Sequence, residues 1–525
     1  MLLLTVTKSD VILFLSRETF LLIETGVFMA SRTDSIYFSL PCDRYTPFSL
    51  ARKIGAKAIL ESASFARGKD RYSILMLEEA FHIVQDDEGV AFLIDGRRLP
   101  FRAKNTTGET IAPGSRVLHT PDILDALLYV AEQNDTSVIR HEDGSESPNS
   151  IPVPASGLGY LSYEFCARCD TITMAAQTDE LHIPESDFIA GHIYVIFDHF
   201  TEKLHVFALN YNEHQIDLES AVENLKKRLN DMDFTYLQAP EEPKPVRTIT
   251  NLEQSEREYK EKVEAIKKEI IAGNLLQAVP SRRLQLECDN SALEIYRRLR
   301  AVNPSPYLFY LDFGDHQLIG SSPESLVRVR KGVASIRPIA GTRRRGKNDQ
   351  EDEDLKNELL NDPKERAEHL MLVDLARNDL GRVCSNGSVE VTRFMEVELF
   401  SHVMHIVSDV QGKVAPGFKP IQVLRAAFPA GTVSGAPKIS AIQILSRLEK
   451  TKRRFYAGAV GYIQSNGDLD FCIAIRCALK HGKVWSLQSG GGIVYDSNAD
   501  REWQETNEKL GALKSVLEFD RSGKA

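Results

Sequence analysis

The chain of 525 residues carries 64 basic and 74 acidic side chains, a formal net charge of −10 at pH 7, and has an isoelectric point near 5.8. This acidic balance argues against a nucleic-acid partner, which would favour a basic surface. The hydrophobic content of 42% is that of an ordinary globular protein. Seven scattered cysteines, including Cys166 and Cys169 in one CxxC without nearby histidines, predict reduced structural thiols in a cytoplasmic protein.

The first 28 residues contain short apolar runs such as "VILFL". Charged residues, among them Lys8, Asp10 and Arg17, divide these runs into pieces too short for a signal sequence or a membrane span. Because Met29 offers an alternative start, we expect residues 1–28 to be a non-native extension or a disordered tail. No other stretch approaches membrane-spanning length, so no membrane partner is expected.

Residues 35–235 are predicted to form an N-terminal domain of short alternating strands, such as "HIYVIFD", with few helices. A helical pattern at 220–232 closes this half. Residues 236–254 follow with a Pro-rich, polar composition that is typical of a linker.

Residues 255–515 are predicted to form a second, larger domain. An amphipathic helix over 255–273 opens it, with Ser255 as candidate N-cap and Gly273 as C-terminal stop. Strands such as "SLVRVR" and "LDFCIAIRCALK" then alternate with helices near 348–376 and 437–449. Since several strands follow one another without a helix between them, the pattern predicts an α+β fold of antiparallel sheets in a sandwich-like core with helices outside.

Two helical segments each carry a pair of glutamates three residues apart. Glu365 and Glu368 lie in "PKERAEHLMLVDLARNDLG", and Glu502 and Glu505 lie in "REWQETNEK". Residues i and i+3 share a helix face, so the carboxylates of each pair would repel one another. A single such pair is more often solvated surface, but two pairs brought together would require a hard dication. Mg²⁺ fits, because it prefers oxygen ligands and commonly uses one or two carboxylates with waters and substrate oxygens.

Glycine-rich stretches and one isolated cation point to an anionic ligand. "GTVSGAPK" lacks the ending of a phosphate-binding loop, whereas "QSGGGIVYDS" places three glycines at a strand end, where backbone N–H groups can approach a carboxylate. A flexible turn is an equally good interpretation of the glycines alone. Arg476 is predicted to lie inside an apolar strand, where a charge without a partner is costly. Together these features favour a magnesium-assisted enzyme that acts on a small dicarboxylate.

Many blocks of the chain, in one order, resemble the large subunit of anthranilate synthase within the chorismate-utilising enzymes. The resemblance is strong over residues 255–512 and thinner before them, where "AILESAS" and "GLGYLSYEF" match. The blocks of the strong region are "NLLQAVPSRRLQL", "NPSPYLFYL", "GSSPESLVRV", "RPIAGTRRRG", "AEHLMLVDLARNDLG", "GTVSGAPK", "GAVGY", "LDFCIAIR" and "QSGGGIVYDS".

The resemblance implies a set of site residues. Glu368 and Glu505 would contact Mg²⁺, supported by Glu365 and Glu502. Glu324 would protonate the departing C4 hydroxyl, His405 would serve the later pyruvate elimination, and Thr432 would line the same pocket. The implied chorismate-binding residues are Gly341, Thr342, Tyr456, Arg476, Gly490, Gly491, Gly492 and Lys509. From the residues alone, a lone histidine on a strand such as His405 is more often a core residue.

The resemblance also implies partners and regulation. None of the seven cysteines stands in a Gly-x-Cys-x-Gly turn, so a separate glutamine amidotransferase subunit would supply ammonia, in a heterotetramer of two large and two small subunits. Tryptophan would inhibit the enzyme by binding in the N-terminal half. The implied tryptophan-binding residues are Leu60, Glu61, Ser62, Pro306, Tyr307 and Leu308. Leu308 departs from the methionine that close relatives often carry.

Three interpretations of the sequence remain. The favoured one is an anthranilate synthase, which aminates chorismate at C2, eliminates pyruvate and begins tryptophan biosynthesis. An aminodeoxychorismate or isochorismate synthase is the alternative within the same enzyme class, and those enzymes are expected to carry a lysine where this chain has Ala340. A non-catalytic subunit that binds chorismate or tryptophan is the alternative from another class, but it would not need Glu324, His405 and the glutamate pairs.

Overall fold

The computed structural model describes residues 27–28, 34–64, 68–69, 71–103, 110–112, 115–116, 121–140, 145–231, 241–399 and 403–518. Apart from residues 27–28, the N-terminal segment predicted to be an extension lies outside the described residues. In the described parts of the chain, no helix is both long and apolar enough to cross a lipid bilayer. All seven cysteines have free thiols, and all but Cys42 are buried.

The described residues form eleven α-helices. They are α1 Pro47–Ile54, α2 Ile123–Ala131, α3 Cys166–Cys169, α4 Leu218–Asn230, α5 Leu252–Ile271, α6 Ala292–Val302, α7 Asp349–Asn361, α8 Pro363–Gly381, α9 Pro420–Ala427, α10 Lys438–Leu448 and α11 Ala499–Glu518.

The described strands number thirty-one. They are β1 Val27–Phe28, β2 Ser35–Pro41, β3 Ala58–Glu61, β4 Ala63–Ser64, β5 Gly68–Lys69, β6 Tyr72–Asp86, β7 Gly89–Ile94, β8 Arg97–Pro100, β9 Arg102–Ala103, β10 Thr110–Ala112, β11 Ser115–Arg116, β12 Val138–Arg140, β13 Glu146–Pro148, β14 Leu158–Leu161, β15 Ser186–Asp198, β16 Lys203–Leu209, β17 Arg247–Thr248, β18 Gln277–Ala278, β19 Ser281–Glu287, β20 Tyr307–Asp312, β21 His316–Ser322, β22 Ser325–Arg330, β23 Val333–Ile336, β24 Ile339–Arg344, β25 Glu390–Leu399, β26 Val403–Lys413, β27 Gly435–Ala436, β28 Ala459–Ile463, β29 Leu469–Ile473, β30 Cys477–His481 and β31 Val484–Gly490.

Two antiparallel sheets share one long ribbon made by β6 and β15, which pair along nearly their whole length. Sheet A continues from the ribbon through β16 and β2 on one side and through β3, β20, β21, β30, β31, β19 and β17 on the other. Sheet B continues through β7 and β8 on one side and through β14, β28, β29, β22, β23 and β26 on the other, with β24 and β25 beside β26. The ribbon spans both sheets because each half of its strands pairs with a different set of neighbours.

The main hydrophobic core lies between the two sheets. Its buried side chains include Phe309 and Leu318 from sheet A and Val327 and Phe471 from sheet B, none more than 1% exposed. A second apolar cluster covers the other face of sheet A and contains side chains of α1, α4, α6 and α11. The predicted α+β sandwich with outer helices is therefore confirmed. Strands of both predicted domains pair with one another, as β3 with β20 and β14 with β28, so the domain boundaries stay predictions.

Three local predictions need correction. The helix predicted at 255–273 begins earlier, because the Asn251 side chain caps it by accepting a hydrogen bond from the Gln254 N–H at 3.1 Å. The helix predicted near 348–376 is two helices, α7 and α8, separated at Asp362, whose carboxylate caps α8. The strand predicted over "LDFCIAIRCALK" is interrupted between Ile473 and Cys477, so Arg476 does not lie inside a strand.

Candidate active site

The candidate site is centred where the chain crosses twice between the sheets. Residues 323–324 connect β21 of sheet A to β22 of sheet B, and residues 474–476 connect β29 of sheet B to β30 of sheet A. The crossings are joined by backbone hydrogen bonds, from the Ile473 N–H to the Glu324 carbonyl at 3.0 Å and from the Ser321 N–H to the Arg476 carbonyl at 3.1 Å. Glu324 and Arg476 are therefore held next to each other by both sheets.

Glu324 has the electrostatic properties of a general acid. Burial raises the pKa of its carboxyl to about 7, against the opposing effects of the Thr432 hydroxyl and of the Arg476 and Lys509 charges. Glu324 and Thr432 also line one small cavity of about 30 Å³. A carboxyl with a pKa near 7 is half protonated at neutral pH and can donate a proton to a leaving group.

Arg476 supplies a buried positive charge. Burial lowers its pKa, while Tyr456, Glu505 and Glu324 act in the opposite direction, and no carboxylate among the described residues lies within 4.0 Å of the guanidinium. Its backbone is in the left-handed region, with φ +52°. A buried guanidinium without a protein counter-ion favours an anionic ligand.

His405 is fixed in one tautomer. Its Nδ1 lies 2.9 Å from the Gly341 carbonyl oxygen, which can only accept, so Nδ1 carries the proton and Nε2 is the basic nitrogen. Burial lowers the pKa of His405, and the Arg476 charge lowers it further. The ring is therefore neutral at pH 7 and can act as a base. Gly341 permits this contact because it adopts φ +66° at an irregularity between β24 and β26.

The two glutamate pairs face the same space from α8 and α11. Glu365 forms an ion pair with Arg343 at 3.0 Å, and Glu505 forms one with Lys509 at 2.6 Å. Burial and the negative charges of Glu365 and Glu505 raise the pKa of Glu368. Burial, together with the charge of Glu505, likewise raises the pKa of Glu502. Arg343 and Lys509 offset the charges of Glu365 and Glu505. The negative charges of Glu368 and Glu502 therefore remain in excess at the site.

The three glycines at the end of β31 lie where the chain is closely packed. A Cβ on Gly490 would lie 2.5 Å from the Pro280 carbonyl oxygen, and one on Gly492 would lie 2.4 Å from Gln277 Nε2. A Cβ on Gly491 would lie 3.2 Å from Glu502 Oε2 and 3.7 Å from Glu505 Oε1. The turn therefore brings bare backbone directly beside the carboxylates, and the Gly490 carbonyl accepts a hydrogen bond from Lys509 Nζ at 2.8 Å.

The donor set fits a hard divalent cation. The ionised forms of Glu368 and Glu502, whose pKa values are raised by burial and by neighbouring negative charge, are stabilised when a dication binds between the carboxylates. Among the described residues, no three His, Cys, Asp or Glu side chains form a group that could hold a metal by themselves. An ion such as Mg²⁺ needs only one or two protein carboxylates and completes its shell with waters and substrate oxygens.

The residues predicted for catalysis, substrate and metal form one connected set. The Thr342 Oγ1 lies 3.2 Å from the His405 Nδ1. A Cβ placed on Gly490 would lie 3.2 Å from the Tyr456 hydroxyl. Lys509 reaches both Glu505 and Gly490.

The residues predicted to bind tryptophan form a separate group. Leu308 pairs with Glu61 across β20 and β3, and a cavity of about 380 Å³ lies beside them, between sheets A and B. Its lining includes all six predicted residues, Leu60, Glu61, Ser62, Pro306, Tyr307 and Leu308. The Glu61 carboxylate also accepts hydrogen bonds from the Tyr296 hydroxyl at 2.8 Å and from Arg300 at 2.7 Å.

Sequence reasoning missed three side chains at the site. The Gln277 Nε2 lies 3.5 Å from the Glu368 Oε1. Arg343 forms an ion pair with Glu365, and the Tyr259 hydroxyl lies beside Gly491. Gln277 and Arg343 occur inside the motif blocks "NLLQAVPSRRLQL" and "RPIAGTRRRG", which was a usable signal. No sequence motif marked Tyr259, since it occupies a core position of an amphipathic helix.

Comparison with known proteins identifies relatives over nearly the whole chain. The family of chorismate binding enzymes matches residues 100–515. "Anthranilate synthase component 1" of Spirochaeta aurantia is 49% identical over 488 residues, and the match covers 93% of this chain and 96% of the relative. The protein of the same name from Aquifex aeolicus is 38% identical, and the match covers 92% of this chain and 94% of the relative. The crystal structure of anthranilate synthase component I from Streptococcus pneumoniae superposes with a TM-score of 0.71 at 34% identity, covering 85% of this chain and 92% of that one.

Proposed function

Since this chain belongs to the chorismate binding enzymes, in the group of anthranilate synthase component 1, we propose that it converts chorismate and ammonia into anthranilate and pyruvate with Mg²⁺. One observation carries the proposal. A buried acid at Glu324, a neutral base at His405 and an unpaired cation at Arg476 converge beside two glutamate pairs. A non-catalytic binding subunit would have no need of the acid and the base.

Substrate binding relies on charge and on bare backbone. Arg476 is the cation for one carboxylate of chorismate, and the buried Tyr456 lies next to it. The turn at Gly490–Gly492 gives the second carboxylate close access to the chain. When bound, Mg²⁺ would orient the ring carboxylate and act as a Lewis acid, with Glu368 and Glu505 as its protein contacts and Glu365 and Glu502 in support.

Two proton transfers follow from the residues. Ammonia adds at C2 while the C4 hydroxyl departs, and Glu324 supplies the proton that turns this poor leaving group into water. His405 Nε2 then takes the C2 proton as the enolpyruvyl group leaves as pyruvate, and the ring becomes aromatic. Thr432 lies beside Glu324 in the cavity that both residues line.

The product of the reaction is the test that decides between the sister enzymes. Ala340 pairs with Ile406 in β24 and β26, next to the Gly341 turn. Alanine can serve neither as a nucleophile nor as a base at C2, whereas a desolvated lysine can do both. We therefore expect chromatography of a reaction with chorismate, Mg²⁺ and an ammonium salt to yield anthranilate and pyruvate. Aminodeoxychorismate or isochorismate as the main product would overturn the proposal.

The source of ammonia is proposed to be a second protein. The relatives' name, component 1, implies a partner component, and we assign it glutamine hydrolysis in a heterotetramer of two large and two small subunits in the cytoplasm. The purified chain is expected to form anthranilate from ammonium salts at alkaline pH, where free NH₃ is abundant, and none from glutamine. Glutamine-dependent formation of anthranilate by the pure chain would contradict this assignment.

Tryptophan is proposed to inhibit by binding in the cavity of about 380 Å³ between the sheets. The cavity combines aromatic and aliphatic walls with Arg328 and Asp470, an ion pair at 2.9 Å. A zwitterion with an aromatic side chain suits such a lining. Adding tryptophan to the ammonium-dependent reaction tests this part of the proposal.

A further inference from the structure

Tyr259 is a fully buried aromatic residue on α5. Its ring is 0% exposed and packs against Trp503 of α11 with the ring centroids 6.0 Å apart. The guanidinium of Arg282 lies on Trp503, 3.9 Å from its ring centroid. The packing of α5 against α11 therefore positions the Tyr259 ring in the free protein.

The hydroxyl of Tyr259 points at the glycine turn beside the glutamates. A Cβ placed on Gly491 would lie 3.2 Å from this hydroxyl, as it would from Glu502 Oε2. The Gly491 N–H acts on the phenol oxygen, but no acceptor among the described residues takes the hydroxyl proton. Burial and the nearby charge of Glu502 raise the pKa of Tyr259, so the hydroxyl keeps its proton and remains a donor.

A buried phenol without an acceptor is unusual in this protein. The Tyr160 hydroxyl donates to the Pro184 carbonyl at 3.1 Å, and the Tyr211 hydroxyl donates to the Gly191 carbonyl at 3.1 Å. Among the described residues, Tyr259 and Tyr72 carry the buried tyrosine hydroxyls that lack an acceptor. Tyr72 lines the cavity of about 380 Å³, so each of the two lies at a candidate ligand site.

We propose that Tyr259 is a further ligand-binding residue, whose hydroxyl donates a hydrogen bond to a ligand oxygen held over Gly491. Buried donors in proteins are nearly always paired, and the acceptor here must come from outside the chain. The inference rests on the proposed function, which supplies two oxygens of suitable chemistry, a substrate carboxylate and a water bound to Mg²⁺. Tyr259 would then provide a neutral donor for an oxygen ligand beside the Glu502 carboxylate.

The variant Tyr259→Phe separates this role from a structural one. Because the buried hydroxyl proton has no acceptor in the free protein, the thermal midpoint of the variant in EDTA is expected to stay unchanged or to rise. Chorismate affinity, measured by calorimetry in ammonium-free buffer with saturating Mg²⁺, is expected to fall about 10- to 100-fold, as for a lost hydrogen bond to a charged group. Tyr211→Phe is the matched control, which should lower the midpoint and leave chorismate affinity unchanged.

Two titrations distinguish the acceptors. Weaker Mg²⁺ binding by Tyr259→Phe without chorismate would identify a metal-bound water, and unchanged Mg²⁺ binding with weaker chorismate binding would identify the substrate carboxylate. Unchanged affinity for both, or a loss of thermal stability equal to that of Tyr211→Phe, would overturn the inference. If the wild-type chain itself binds no chorismate, the proposed function fails instead, and the thermal comparison still reports whether the hydroxyl has a protein partner.

Discussion

Replacing Glu368 or Glu505 by glutamine is expected to reduce Mg²⁺-dependent formation of anthranilate by about 10³-fold, because a bound metal supplies several kcal/mol of transition-state stabilisation. The same change at Glu368 should preserve or raise the thermal stability of the metal-free protein. The raised pKa of Glu368 means that its charged form is disfavoured by burial and by Glu365, so a neutral side chain relieves repulsion. Steady-state rates over a range of Mg²⁺ concentrations and melting curves in EDTA measure both effects.

Asp374→Asn is the matched control for Glu368→Gln. It makes the same change of charge on the same helix, α8, at an exposed position whose partner is Arg377 at 3.0 Å. Its activity should match that of the unmodified chain. Near-normal turnover of both glutamate variants at limiting Mg²⁺ would rule out the proposed metal site, and a strong loss of activity in Asp374→Asn would point to a general effect of charge.

Glu324→Gln is expected to lower the turnover number by about 10²- to 10⁴-fold, the usual contribution of a general acid, with chorismate affinity retained. In the unmodified chain the reactive form is the protonated carboxyl, and its pKa is about 7. Turnover should therefore be highest below pH 7 and fall about tenfold per unit above it. The total ammonium concentration has to be adjusted at each pH so that free NH₃ stays constant, since NH₃ itself increases with pH.

Glu324→Asp serves as the comparison for this experiment. It keeps an acid but shortens its reach, so the alkaline decline should persist at a reduced rate, whereas the glutamine variant should lose the decline altogether. An unchanged alkaline decline in Glu324→Gln would assign the ionisation to another group and remove Glu324 from the role of acid.

Local spacing was enough to predict that each pair of glutamates lies on one helix. Residues three apart share a helix face, and both Glu365–Glu368 and Glu502–Glu505 do lie in helices. Alternation of short strands also predicted the class of fold correctly. These features depend on neighbours in sequence, which is why the sequence alone carries them.

Long-range contacts could not be predicted in the same way. Arg343 lies in the basic run "TRRRG", where no local feature marks a carboxylate partner, and only the packing of β24 against α8 brings it to Glu365. Arg476 was expected inside a strand, because nothing in "CIAIRCA" marks the point at which the chain leaves sheet B for sheet A. Tyr259 was indistinguishable from a core residue, since burial and a missing hydrogen-bond partner are properties of the folded chain.

The double crossing between the sheets has a mechanical consequence. Glu324 and Arg476 each lie on a short bridge of two or three residues, with one end anchored in sheet A and the other in sheet B. The inter-sheet cavity of about 380 Å³ is walled by strands of both sheets. They include β20, which pairs with β21, and β22, which begins directly after the Glu324 bridge. A molecule that wedges the sheets apart there would pull on both bridges at once. Such a molecule could alter the distance between the Glu324 carboxyl and the Arg476 guanidinium without touching either group. An inhibitor bound in this cavity therefore need not resemble or displace the substrate.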